Sequence, residues 1–452
     1  MTPQYIRALL KELPLKQGLE PTELALEEML SNGRIHSEGA KCLVAEFVRF
    51  LFEHTGKIAE EVKRLREAGD SYLADTLDEI KRVLTGESEQ SLTTVYEGFK
   101  TREQQNEVRV LKELIEAAQV QFSFGEARDF YERLIELAPT SEHHFNYAYL
   151  LQGLNDFDKA RSHYEEVLHT FRELSKQSPE IYKPNVVITL NNLGILLEEI
   201  NELKQAQACY EEAIQVSREL AKQTPEVYNS DVAMGLNNLG RLFGITKEFQ
   251  RAQACYEEAL QVWRELAKHT PVVYNPDVAG SLNNLGSLLC DINAFQQAQT
   301  YYEEALQIQR ELVKQNPEAY KPDMAMILNN LGILLSSNNE LQQAQAYCEE
   351  ALQIHRNLAD QNPEAYSPKV ATTLNNLVSL YVGLKKIEEA ENSYQEAHDI
   401  YQDLASRHPR AYGIDYAKLL VMGFALLSKP KEDLEKAKAI LDKYPEHPKA
   451  QK

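Results

Sequence analysis

Three residue series in this chain share one period. The tripeptide Asn-Asn-Leu begins at Asn191, Asn237, Asn283, Asn329 and Asn375, and each step is 46 residues. Tyr182, Tyr228, Tyr274, Tyr320, Tyr366 and Tyr412 keep that step, and so do Pro179, Pro225, Pro271, Pro317, Pro363 and Pro409. A fixed period of this length marks stacked supersecondary units, none of which can bury its apolar face alone. At 452 residues the chain also exceeds what one ordinary core encloses. An extended array is expected in place of a single core.

Within one period the pattern is two helices. Val278, Leu282, Leu285, Leu288 and Leu289 recur at steps of three and four, one face of a helix. Pro276 suits its first position, and Asp277 suits the positive end of its dipole. Asp291-Ile292-Asn293 breaks the pattern. The next segment carries Ala298, Tyr302, Ala305, Leu306 and Leu312 on one side, and Asn316-Pro317 marks its expected stop. A connector bearing Tyr320 is expected to lead into the next unit. Small and large residues also recur. Gly194, Gly240, Gly286 and Gly332 are followed by Ala206, Ala252, Ala298, Ala344 and Ala390. Then come Tyr210, Tyr256, Tyr302 and Tyr394, with Cys348 in the same place, and finally Ala213, Ala259, Ala305, Ala351 and Ala397. Glycine or alanine lets two helix backbones approach, and the aromatic fills space toward the next unit. Val378, at a glycine position, and Cys348 are expected to loosen packing locally.

These positions resemble the tetratricopeptide signature. The long unit with its Asn-Asn-Leu-Gly opening most resembles the kinesin-light-chain-like branch of that family. The resemblance covers roughly residues 106–448 and implies an all-α, right-handed superhelical solenoid of helix-turn-helix repeats, about eight in number. Ala127, Tyr131 and Pro139 fit a standard-length unit at about 106–141. Strict 46-residue copies run from 142 to 417. Phe424, Leu427, Ala437 and Leu441 fit a degenerate last unit, and Lys429, Lys431, Lys436, Lys438 and Lys443 would give it a polar outer side. The 12 residues beyond the usual 34 are expected to lengthen the second helix and the connector. Residues 1–105 do not repeat and read as an N-terminal helical domain. Its helices are expected around 21–31, 38–54, 57–68 and 71–84, broken at Ser31-Asn32-Gly33, Thr55-Gly56 and Gly69-Asp70.

In this family the first helices line the inner surface and grip peptides. The residues opposite the Leu190, Leu193 and Leu197 stripe should face that surface. Foremost are the second asparagines, Asn192, Asn238, Asn284, Asn330 and Asn376, with Asn146 extending the series. Asparagine offers both donors and an acceptor, so such a ladder can bind the main chain of an extended peptide. The first asparagines, Asn191, Asn237, Asn283, Asn329 and Asn375, join the candidate set. The alternative for either series is that it ties adjacent helices together. Arg241 is the only basic residue on this face, which favours a neutral or mildly basic segment with apolar anchors.

The formal charge of −21 disfavours nucleic acid and anionic membrane as ligands. The start of the chain lacks the apolar core of a signal peptide, and no run approaches 18 apolar residues. Five cysteines, an odd count without a CxxC spacing, argue against disulfides and structural zinc. A reducing cytoplasm is the expected compartment. No phosphate-loop, dinucleotide, nucleophile-elbow or HExxH motif is present. Glu165-Glu166 and its copies are neighbours on a helix and point about 100° apart, so they read as a solvated outer face. His143-His144 with His163 lacks a carboxylate or cysteine at ligand spacing. Cys209 and Cys255, at equivalent positions, read as small packing residues. No cofactor, metal or enzymatic activity is expected; an enzyme within 1–105 would have only His36, His54 and Cys42 as its more obvious groups. Two functions remain: a scaffold or adaptor holding a partner protein or peptide in the groove, or a sensor-regulator of a bacterial signalling or defence system whose N-terminal domain couples to a separate effector. Nothing in the sequence sets the oligomeric state.

Overall fold

The computed structural model describes residues 38–443 except 70, 86, 89, 101–106 and 122, together with residues 22 and 25. His36, the Ser31-Asn32-Gly33 break, most of the 21–31 segment and the side chain of Cys42 lie outside what is described. Every element among the described residues is a helix. The chain divides into two compact units, one up to Ala259 and one from Leu260 onward.

The first unit opens with α1 (Glu38–Glu67), α2 (Ser71–Leu84) and α3 (Leu92–Lys100). Helix α1 runs straight through Thr55-Gly56, where a stop was expected. Glycine inside a helix costs about 1 kcal/mol, but the buried stripe of Val48, Ile58, Val62 and Leu65 continues across it. The Thr55 hydroxyl also donates to Phe52 O at 3.1 Å, within the helix. Helix α2 packs on α1 and also on α4 (Glu107–Val120), which pairs with α5 (Phe124–Leu137). The long repeats follow as α6 (Ser141–Gly153) with α7 (Phe157–Gln177), and α8 (Pro179–Glu199) with α9 (Leu203–Ala221). Next come α10 (Pro225–Ile245) and α11 (Phe249–His269), and the unit boundary falls within α11. The second unit continues with α12 (Pro271–Asp291) and α13 (Phe295–Gln315), then α14 (Pro317–Ser337) and α15 (Leu341–Gln361). It ends with α16 (Pro363–Gly383), α17 (Ile387–Arg407), α18 (Pro409–Leu427) and α19 (Lys431–Leu441).

The first helices start earlier than the sequence pattern suggests. Helix α12 begins at Pro271, so Pro276 lies inside it, as Pro184, Pro322 and Pro368 lie inside α8, α14 and α16. Proline at the first position loses nothing, because that N–H has no intrahelical partner. Proline at the sixth removes a single bond to the second residue, close enough to the end for the helix to absorb. Tyr320 is therefore helical and not part of a connector. The extra residues of the unit lengthen both helices, to 21 residues each in α12 and α13. The Asn316 and Asn362 side chains cap two of these starts, accepting from Ala319 N at 3.2 Å and Ala365 N at 3.3 Å.

Each pair turns on one left-handed residue. Asn155, Asn201, Lys247, Asn293, Asn339 and Lys385 all have φ between 59° and 64°. The next residue donates back to a carbonyl five residues earlier, as Ala294 N does to Leu289 O at 2.8 Å. This is the closure in which a left-handed residue satisfies the last helix carbonyls. Inside the pairs, a Cβ added to Gly194, Gly240 or Gly286 would lie under 3.0 Å from the ring of Tyr210, Tyr256 or Tyr302. The tyrosine thus fills the crossing within its own repeat. Where Val378 replaces glycine, the Tyr394 ring instead lies against Gly423 of the following helix. Phe424, expected in the core of the last unit, is 40% exposed, while Ala437 is fully buried.

Candidate functional site

The paired asparagines separate by burial. On α8 and α12 the first of each pair, Asn191 and Asn283, is only 6% and 5% exposed. Asn237, Asn329 and Asn375 are half-buried. The second asparagines, Asn192, Asn238, Asn284, Asn330 and Asn376, are half-buried, and Asn146 is exposed. The reason is angular. Consecutive helical residues point about 100° apart, so one of two neighbours turns toward the packed interface while the other borders solvent. Asn191 and Asn283 are thus the least accessible of the asparagines expected to contact a ligand.

In the first unit, the solvent-facing strip of α8 is Ile188, Asn192 and Ile195, and that of α10 is Met234, Asn238 and Arg241. Ile188 is 49% exposed and Met234 48%. Asn192 turns its amide back on its own helix, donating to Ile188 O at 2.9 Å. Arg241 reaches the Glu198 carboxylate on α8, so the one basic group of this face is neutralised. Tyr210 Oη also donates to Glu198, at 3.4 Å. Burial pushes the Glu198 carboxyl above its ordinary value, and the Arg241 charge opposes that push. On α6, Tyr149 occupies the position of Ile195 and is 66% exposed.

In the second unit the asparagines reach between repeats. Asn330 Nδ2 on α14 donates to Asn283 Oδ1 on α12 at 2.9 Å. Asn376 Nδ2 on α16 makes the same bond to Asn329 Oδ1 on α14 at 3.1 Å. The second asparagine of one repeat therefore ties to the first asparagine of the repeat before. Asn330 and Asn376 each retain another N–H and a carbonyl oxygen for a ligand. Around them lie Met326 and Ile333, 42% and 43% exposed, and the exposed Ser287 and Ser379. No charged residue is among these.

The second helices present a different surface. Arg172–Glu212 and Arg218–Glu258 in the first unit, and Arg264–Glu304, Arg310–Glu350 and Arg356–Glu396 in the second, link each second helix to the next. All but the first of the glutamate pairs expected as a solvated outer face thus take part in an ion-pair ladder. Their first members accept from glutamines one turn earlier, as Glu303 does from Gln299 at 2.9 Å. A cleft of about 770 Å³ in the first unit lies over this surface, floored by Ile214, Leu236 and Phe243 and rimmed by Arg218, Arg251 and Glu258. Burial pushes the Cys209 and Cys255 thiols up to about 11, which suits inert packing residues.

One cluster escapes the sequence pattern. His144 and His163 do have a carboxylate beside them, that of Glu166, which comes within 3.0 Å of His144 Nδ1. Helical spacing places His163 and Glu166 on one face of α7. What the linear pattern hides is that the α6–α7 turn folds His144 onto that face. His143 is not part of the cluster; its Nδ1 is 2.7 Å from Ala138 O. Among the described residues, no helix is long and apolar enough to cross a membrane.

The family model described as tetratricopeptide repeat matches residues 140–219, 231–311, 277–357 and 323–403. No curated protein matches the chain. Among solved structures, BtubC (BKLC) from P. vanneervenii is 24% identical, with 56% of this chain and 94% of that one covered and a TM-score of 0.46. A STAND protein with a tetratricopeptide repeat sensor, PH0952 from Pyrococcus horikoshii, is 15% identical over 82% of this chain and 55% of its own, with a TM-score of 0.48.

Proposed function

Because the chain belongs to the tetratricopeptide repeat family, we propose that it is a protein-interaction scaffold whose first helices hold an extended, largely uncharged peptide segment of a partner. One observation carries this reading. In a chain of net charge −21, the strips beside the second asparagines carry exposed Ile188 and Met234 in one unit and Met326 and Ile333 in the other. Their one basic residue, Arg241, is already paired. Apolar side chains held half out of water, next to groups able to bond a main chain, suit a peptide with apolar anchors. Such a face offers no free cation for an acidic C-terminus.

The test is a panel of extended peptides of differing charge and apolar content, read by fluorescence anisotropy. Ile188→Asp with Met234→Asp, or Met326→Asp with Ile333→Asp, should weaken the best binder about tenfold or more. Arg218→Ala on the outer ladder should leave it unchanged. The opposite ranking would move the binding surface to the second helices.

The alternative, in which residues 1–105 form a separate helical domain that relays a signal to an effector, draws support from the polar junction of α1 and α4. There Arg109 pairs with Glu61, and His54 lies 4.0 Å from Glu113 and 3.6 Å from Glu116.

A further inference from the structure

The α6–α7 repeat departs from its copies at two positions, which meet in space beside a third that it keeps. Where the other repeats have Leu190, Leu236, Leu282, Leu328 and Leu374, this one has His144. Where they have Cys209, Cys255, Tyr301, Tyr347 and Ser393, it has His163. Glu166 keeps the glutamate of Glu212, Glu258, Glu304, Glu350 and Glu396, each of which pairs with an arginine 40 residues earlier. The unit before α6–α7 is shorter; aligned on Ala127 and Ala160, its arginine position falls at Pro139, beyond the end of α5, so this ladder partner of Glu166 is missing.

The three side chains converge on one point. His144 Nδ1 is 3.0 Å from His163 Nδ1 and 3.0 Å from Glu166 Oε2. One ligating atom of each lies within 4.8 Å of the other two. Hydrogen bonding serves this trio poorly. With a proton on His144 Nδ1, one donor is shared between two acceptors. Without one, its lone pair faces a carboxylate oxygen directly. A cation at the common focus satisfies all three lone pairs at once. Placing histidine in a buried leucine slot otherwise costs desolvation with little return.

We propose that His144, His163 and Glu166 form a binding site for a divalent transition-metal ion, with zinc the best fit. Two imidazoles and one carboxylate are borderline ligands of the kind zinc takes. Metal–ligand bonds of about 2.0–2.1 Å in a tetrahedron place ligand atoms roughly 3.3 Å apart, so the two separations from His144 Nδ1 need widen by only a few tenths of an ångström, while that between His163 and Glu166 lies within 4.8 Å. Glu166 is exposed, which leaves the fourth position open to water. The ion would staple the two helices of this repeat where the others use leucine packing. The neighbouring trio of His54, Glu113 and Glu116 differs. There the two ring nitrogens each face a different carboxylate, as in an ion pair.

The test uses the full-length chain stripped with a chelator. Zinc is titrated by calorimetry, and cobalt is followed through its visible bands. The site predicts one tight equivalent, four-coordinate cobalt bands and a higher Tm with zinc. His144→Leu, which restores the residue of the other repeats, should keep the helical circular dichroism. It should lose one equivalent of metal, with affinity at that site down by more than about 100-fold. His163→Ser, copying Ser393, is the second variant and should behave alike. The proposal is overturned if the stripped protein takes up no zinc at millimolar concentration. It is equally overturned if a folded variant binds with the stoichiometry and affinity of the parent.

Discussion

The two glycines of α12 act in opposite directions. A Cβ on Gly286 would lie 2.7 Å from Tyr302 Cε1, so the ring or the helix must move. Gly286→Ala is expected to destabilise by about 1–3 kcal/mol. A Cβ on Gly280 meets nothing within 4 Å, and Gly280→Ala should gain about 0.5–1 kcal/mol from helix propensity alone. Thermal unfolding should rank Gly280→Ala above the parent and Gly286→Ala below it. A second residue-scale effect concerns pH. Burial, reinforced by Lys369, pushes His355 from 6.5 down to about 4. Its Nδ1 is 3.0 Å from Thr373 Oγ1, whose hydroxyl donates to Lys369 O. Between those two values the unfolded chain binds a proton that the folded chain does not. Stability therefore falls as pH drops from about 6.5 toward 4, by up to roughly 3 kcal/mol. His355→Gln, copying Gln309 at the equivalent position, should lose less stability than the parent between pH 7 and 4.5 in urea unfolding. The glycine contacts were legible because small and aromatic residues repeat in register. His355 was not, because its position reads Phe171, Ser217, Trp263, Gln309, His355 and Tyr401 along the chain. A periodic pattern says nothing about a position whose residue changes each time.

Helix identity was legible from apolar spacing, but helix starts were not. Two prolines lie five residues apart in α12, and either could open a helix; the non-helical Thr270, with φ −138° and ψ 70°, marks the first as the start. Thr55-Gly56 carried the letters of a stop without its geometry. In the 46-residue repeats the left-handed turn residues are Asn or Lys and not Gly, so the turn's conformation was hidden although its place was clear. For the candidate site, the asparagine register was plain, yet the bond from the second of one repeat to the first of another needs the stacking distance. A double-mutant cycle on Asn283→Ala and Asn330→Ala is expected to show coupling of about 0.5–1.5 kcal/mol in favour of the pair. Additive losses would mean that this bond contributes nothing to stacking.

Seen along the whole chain, the array was legible and the N-terminal helices were so in part: α2 spans the expected 71–84, whereas α3 was not anticipated. Residues 1–105 have no second copy against which to check a helix start, and α1 was read as two helices for that reason. In the second unit two kinds of link between repeats recur at a constant offset: second asparagine to the preceding first asparagine on the first helices, and arginine to glutamate on the second. Removing residues 317–362 would delete one period and bring Asn376 opposite Asn283 and Glu396 opposite Arg310. The shortened chain should keep the helical signal per residue of the parent and unfold cooperatively. Loss of helicity beyond the deleted residues would show that the links are not interchangeable. If they are, each repeat carries the same plug at one end and the same socket at the other. A gene encoding such a chain can then grow or shrink by unequal recombination in single steps, without a new interface being invented at each seam.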